Sequence, residues 1–78
     1  MNAMDFELRG DHITLDALLK ATGLAGSSGG AKVLIAEGQV RVNGEVDTRR
    51  GRKLRAGDEV TLGAALVRLR GGLAQPGA

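Results

Sequence analysis

Gly38 divides this chain into two stretches with different hydrophobic periods. Before it, Leu15, Leu18, Leu19 and Thr22 follow the i, i+3, i+4, i+7 rhythm of one helical face, and Ala31, Leu34 and Ile35 repeat that rhythm. After it the period drops to two, with Val40 and Val42 alternating with Gln39 and Arg41. Helices followed by strands in one short chain specify an α+β domain in which the helices cover one face of a sheet.

Local signals set the expected boundaries. Thr14 is placed to N-cap a first helix from Leu15 to Thr22, with Asp16 in its first turn, Lys20 near its last and Gly23 as its stop. Leu24 to Gly30 is a connection of small residues in which Ser27 or Ser28 can cap a second helix. Gly29 and Gly30 in its first turn each cost about 1 kcal/mol relative to Ala, so something local calls for a bare backbone. Asn43-Gly44 is a strong hairpin signal because both residues tolerate the positive φ of a type I′ turn. Glu45 to Thr48 begins the return strand, Ala56-Gly57-Asp58 makes a turn, and Val60 with Leu62 forms another strand. Gly63 turns the chain again, and Leu66 to Arg70 is a final strand with Val67 and Leu69 on one face.

The expected fold is therefore two short helices packed on a small, twisted, mostly antiparallel sheet of three to five strands. Residues 1–12 form an N-terminal lead-in with strand character at Phe6 and Leu8, residues 13–70 the domain, and residues 71–78 a flexible tail. Leu15, Leu18, Leu19, Ala31, Leu34, Ile35, Val40, Val42, Leu54 and Val60 are expected to share one core.

At 78 residues, such a domain is small and marginally stable. Its core must be aliphatic, because Phe6 is the only aromatic residue. That also removes the aromatic platforms on which unpaired bases are stacked. The absence of cysteine excludes disulfides, thiolate metal sites and cysteine nucleophiles. No apolar run approaches the roughly 20 residues of a membrane span and no signal-peptide pattern opens the chain, so a cytoplasmic location is expected.

The net charge of +2 is unevenly spread. Met1 to Leu19 carries four acidic residues against Arg9, whereas the chain from Lys20 onward carries ten basic residues against five acidic. Five of those ten lie between Arg49 and Arg55. This asymmetry points to a polyanionic partner more strongly than the net charge does.

The stretch ITLDALLKATGLAGSSGGAKVLIAEGQVRVNGEVDTRRGRKLRAGDEVTL resembles the alpha-L RNA-binding domain, first seen in a small-subunit ribosomal protein (the S-four protein). The resemblance rests on four parts in order. They are Leu15, Asp16, Leu18 and Leu19 in the first helix, then Ala31, Lys32, Leu34, Ile35 and Gly38 in and after the second. Val40, Val42, Asn43 and Gly44 follow, and Gly57, Asp58 and Val60 close the set. Tyrosyl-tRNA synthetases, many pseudouridine synthases and a ribosome-associated heat-shock protein carry such a domain. The segments GGAKVLIAEGQVRVNG and TRRGRK are similar to the stand-alone YbcJ-like branch, whose members contain little else. One departure is clear: many family members carry Arg directly after the Ser that opens the second helix, and here that position is Ser28, followed by Gly29 and Gly30. The glycines could bring backbone N–H groups close to a phosphate, or could serve only a tight start to the helix.

The residues expected to bind RNA are Lys32, Arg41, Arg49, Arg50, Arg52 and Lys53. The four cations within Arg49–Lys53 repel one another unless an anion offsets them. Arginine's planar fork suits phosphate oxygens and can stack on exposed bases. The alternative is a solvated charge run. On either reading the cluster is taken as solvated, so that removing Arg49, Arg50 and Arg52 should leave the fold nearly untouched. The resemblance puts the second helix and the following hairpin on the RNA-facing side, and hence Lys32 and Arg41 beside the basic loop. His12 has no partner for catalysis or metal binding, and Asp16 and Asp58 are explained by a helix dipole and a turn.

These readings favour a module that docks a basic face onto structured RNA, ribosomal RNA included. It is expected to act as a monomer, with no catalytic residues, metal, cofactor, small-molecule substrate or membrane partner. The competing reading is a protein-interaction module whose basic face binds an acidic protein. An enzyme is disfavoured because family members with catalytic activity carry it in a separate domain.

Overall fold

The computed structural model describes residues 2–71. Two helices and seven strands run in the order β1 (Asn2–Leu8), β2 (Ile13–Thr14), α1 (Leu15–Ala21), α2 (Ser28–Ala36), β3 (Val40–Val42), β4 (Glu45–Val46), β5 (Lys53–Leu54), β6 (Glu59–Leu62) and β7 (Ala65–Gly71). Five strands form one sheet in the order β1-β7-β6-β3-β4, and β2 pairs with β5 in a separate two-stranded ribbon. Every pairing in the large sheet is antiparallel except β1 with β7. This is the expected α+β arrangement of two helices on a mostly antiparallel sheet.

The helices form for the reasons the sequence gives. Leu15, Leu18 and Leu19 are all buried on one face of α1. Ala31 and Ile35 do the same for α2, and they meet Val40, Val42, Val60, Val67 and Leu69 from the inner face of the sheet. Leu34 is half-buried and packs at the margin of this core rather than in it. Ser27 is the cap of α2, its hydroxyl oxygen accepting from the Gly30 N–H at 3.1 Å. Gly30 itself answers to packing. A Cβ placed there would lie 2.7 Å from the Ala25 carbonyl oxygen, far inside van der Waals contact, whereas one at Gly29 would meet nothing within 4 Å.

The Asn43-Gly44 turn has the expected conformation, with φ of 53° and 87°. The Asn43 side chain does more than tolerate it. Its amide donates to the Asp58 carboxylate at 3.1 Å, and its carbonyl oxygen accepts from the Glu59 N–H at 2.9 Å. The β3–β4 turn is thereby stitched to the start of β6, a link the sequence reading did not foresee. The return strand is shorter than expected. It covers Glu45–Val46 instead of running to Thr48, because the chain turns inward at Asp47 and buries that side chain.

The strand character foreseen at Phe6 and Leu8 extends over Asn2–Leu8. Met4, Phe6 and Leu8 pack on the core, while Asp5 and Glu7 sit in register with Arg68 and Arg70 of β7. The tail expected over residues 71–78 lies outside the described residues apart from Gly71, which ends β7. Among the described residues no helix is long and apolar enough to cross a membrane.

Candidate functional site

The basic stretch sits between β4 and β5, and its backbone is anchored at several points. The Arg52 N–H donates to the Arg49 carbonyl at 3.1 Å, closing a turn around Arg50 and Gly51. The carbonyls of Arg52 and Arg50 accept from the N–H groups of Leu15 and Asp16, at 2.9 and 3.1 Å. The first N–H groups of a helix have no partner inside it, so the loop supplies what α1 lacks. The β2–β5 ribbon continues the anchorage, with Thr14 paired to Lys53 and Ile13 to Leu54.

This arrangement corrects the expected role of Thr14. It occupies the N-cap position of α1, but its side chain makes no capping bond to the backbone. Instead its hydroxyl donates to the Asp16 carboxylate at 2.7 Å, and that same oxygen accepts from the Ala17 N–H at 2.8 Å. With the loop carbonyls already meeting the first amides, the hydroxyl is free to brace Asp16.

Asp47 organises the loop's side chains. It is only 7% exposed. One carboxylate oxygen accepts from the backbone N–H of Arg49 at 2.9 Å and from its Nε at 3.1 Å. The other accepts from Arg49 Nη2 at 3.0 Å and from Arg52 Nη1 at 2.7 Å. The Arg49 side-chain hydrogen bonds hold the Asp47 carboxyl well below the usual carboxylate range, against the opposing effect of burial. The Arg49 backbone N–H and Arg52 act in the same direction as those bonds. Reciprocally, Asp47 raises the pKa of the Arg49 guanidinium.

The cluster is therefore not the uniformly solvated run of cations that the sequence suggested. Arg49 and Arg52 are neutralised in part by a buried anion, so removing both leaves Asp47 without its cationic partners. That pairing argues against the expectation that their loss spares the fold, because an unpaired buried carboxylate is costly. An Asp two residues before one Arg and five before another is a legible signal, since Asp side chains commonly bond backbone N–H groups two residues on.

The six expected site residues fall into three groups. Arg49, Arg50, Arg52 and Lys53 share the anchored loop; Arg49, Arg50 and Lys53 are exposed and Arg52 is half-buried. Lys32 projects from the exposed side of α2, in the helix layer. Arg41 projects from the opposite, outer face of the sheet, in register with Val46 and Thr61. Lys32 and Arg41 thus stand on opposite sides of the sheet, and Gly38 at the end of α2 lies close to Val46 of the edge strand β4. Among the described residues no carboxylate lies within ion-pair distance of Lys32, Arg41, Arg50 or Lys53. Arg68 and Arg70 differ in this respect, being paired with Glu59 at 3.1 Å and Asp5 at 3.3 Å.

Asp47, Thr48, Arg49 and Arg52 line a polar cavity of about 300 Å³ together with the Asn43 turn. A second cavity, of about 450 Å³, lies between β1 and β2 and is lined by Phe6, Leu8, His12 and Ile13 among others. His12 is exposed there. Among the described residues no group of three or more His, Cys, Asp or Glu could hold a metal ion.

Comparison with known proteins agrees with the fold. A family model described as the S4 domain matches residues 6–70. The chain is 43% identical over 58 residues to the Escherichia coli (strain K12) protein called "Putative RNA-binding protein YbcJ", covering 74% of this chain and 83% of that one. It is 48% identical over 50 residues to the Bacillus subtilis (strain 168) "Probable ribosome maturation protein RlbA", covering 64% and 70%. With most of its length matched by the family model and most of a relative's length aligned, this chain belongs to the S4 domain family.

Proposed function

We propose that this chain is a non-catalytic RNA-binding module that docks its anchored basic loop onto the phosphates of structured RNA, ribosomal RNA foremost. The observation that carries the reading is the loop itself. Arg50 and Lys53 are exposed, with no ion-pair partner among the described residues, on a backbone held by α1 and by the β2–β5 ribbon, and Arg49 and Arg52 are fixed beside them. Fixed cations on a rigid support can match a fixed array of phosphates with little ordering cost. The relatives named for RNA binding and for ribosome maturation support the same direction.

Structured RNA is the better target for a physical reason. Phe6, the sole aromatic residue, is half-buried and packs against the core from β1. Recognition without exposed aromatic platforms relies on phosphate geometry and shape, both of which a folded RNA presents. Lys32 and Arg41 extend the contact around the β4 edge. The module is proposed to act as a monomer.

Sedimentation of cell extract on a density gradient, with and without nuclease, tests the proposal. Co-migration with ribosomal particles that is lost after nuclease and at high salt is the expected result. Association that survives complete RNA digestion, with an acidic protein recovered alongside, would replace this reading by the protein-interaction one.

A further inference from the structure

We infer that Asp47, an acidic residue, is a positioning residue for RNA binding: it acts through Arg49 and Arg52 and strengthens binding despite its unfavourable charge. This rests on the RNA-binding reading above. By charge alone a carboxylate inside a basic loop should weaken attraction to a polyanion. The geometry opposes that expectation. A guanidinium has five N–H donors in a rigid plane. Arg49 directs Nε and Nη2 at the Asp47 carboxylate, so its Nη1 edge faces away from that contact. The Arg49 side chain is 70% exposed, which leaves that far edge open to solvent. Arg52 gives Nη1 to the other carboxylate oxygen and is 32% exposed.

Asp47 thus fixes two long side chains in one orientation before any ligand arrives. Free arginine side chains lose rotamer freedom when a phosphate orders them, and a pre-oriented fork loses less. The carboxylate can do this because it is itself immobile. It is buried, and its Oδ1 also accepts from the Arg49 backbone N–H, tying side-chain placement to the turn. The loop carbonyls bonded to Leu15 and Asp16 then refer the whole assembly to α1. Asp47 touches no phosphate in this scheme; its effect is carried by the two arginines.

The test is the sign of a substitution. Asp47→Asn removes one negative charge and keeps one side-chain oxygen, while placing an N–H₂ donor where an acceptor faced the arginines. Binding of the full chain to a ribosomal RNA hairpin is measured at several salt concentrations, with circular dichroism confirming the fold. Positioning predicts affinity weakened roughly five- to tenfold, the larger figure being about 1.4 kcal/mol. In an Arg49→Ala/Arg52→Ala background the same change should have no such effect. Equal or tighter binding by folded Asp47→Asn overturns the inference, whereas absence of RNA binding by the wild-type chain overturns the RNA reading itself. A second measurement needs no variant. The Arg49 Nε–H should give a separate, slowly exchanging NMR resonance in free wild-type protein and keep it on the RNA. An exchange-averaged signal in the free protein, or its loss on adding RNA, overturns the pre-oriented fork.

Discussion

Arg52 holds two parts of the molecule at once: its guanidinium donates to the buried Asp47 carboxylate at 2.7 Å, and its main-chain carbonyl accepts from the Leu15 N–H at 2.9 Å. A residue that reads as one more surface cation joins the basic loop to the first helix. Arg50 shares the backbone half of this arrangement but not the ion pair, since its carbonyl accepts from Asp16 while its side chain is exposed.

That difference separates two pairs of substitutions. Arg50→Ala with Lys53→Ala removes two exposed, unpaired cations. It should leave the thermal midpoint nearly unchanged while flattening the slope of log affinity against log salt by roughly 1.5 units. Arg49→Ala with Arg52→Ala should weaken RNA binding and also lower the thermal midpoint, because the Asp47 carboxylate stays buried without cations. Melting curves and salt titrations on both double variants check this, and equal midpoints for the two would contradict it.

Asp47 also sets an acid limit. Its folded-state pKa lies below the value of about 3.9 for an unfolded-chain aspartate. The unfolded chain therefore binds the proton first as pH falls. The stability this group contributes is whole above the unfolded value and is lost as pH drops from there through the folded one. Thermal melts should show no Asp47-dependent change between pH 6 and pH 8, both far above that window. Below about pH 4 the midpoint of the wild type should fall more steeply than that of Asp47→Asn. Parallel curves for the two proteins through the acid range would remove this account.

The two glycines at the start of α2 should respond in opposite ways. Gly29→Ala puts a methyl group into open space at a helical position and should stabilise the chain by roughly 0.5–1 kcal/mol. Gly30→Ala drives a methyl group against the Ala25 carbonyl, which is backbone and cannot swing aside, and should cost about 1–3 kcal/mol. Urea unfolding of the two variants measures the difference.

Core substitutions should grade with burial. Leu18 is completely buried, so Leu18→Ala should cost about 2–5 kcal/mol, a large share of the stability of a domain this size. Leu34 packs only at the core margin, and Leu34→Ala should cost less. Equal losses in urea titration would mean that the margin is packed as tightly as the centre.

Periodicity made most of the fold legible. The change from 3.6 to 2 at Gly38 placed α1, α2, β3 and β6, and the Asn43-Gly44 pair fixed the hairpin between β3 and β4. Interactions between distant segments were harder to read. Phe6 and Leu8 suggest strand character, but nothing local assigns that strand a partner. Its parallel pairing with β7 comes from tertiary packing, and it sets the acidic N-terminal segment beside Arg68 and Arg70. Part of the charge asymmetry along the sequence is thus cancelled in space, because Asp5 of that segment pairs with Arg70. The spacing of Asp47 to Arg49 makes its bond to the turn legible, but one acid among many bases reads as a surface charge, and its burial depends on how β4 meets the loop.

The proposed preference for folded RNA has a physical test. The described residues present no exposed aromatic side chain, and the cations that are free or fixed stand on ordered backbone rather than on a mobile tail. Such a surface recognises phosphates held at set distances, and a single strand must lose entropy to reach the same arrangement. At equal salt, a folded ribosomal RNA fragment should bind at least roughly tenfold more tightly than a poly-pyrimidine strand of the same length, about 1.4 kcal/mol. Arg50→Ala/Lys53→Ala should weaken both, since both contact the protein through phosphates. Asp47→Asn should narrow the gap between them, because a fixed arginine fork favours the ligand whose phosphates are fixed too. Fluorescence anisotropy with the two RNAs and these two variants gives all the comparisons in one titration series. Equal affinity of the wild type for both RNAs would show that the loop acts as diffuse charge, and that its anchorage serves the fold alone.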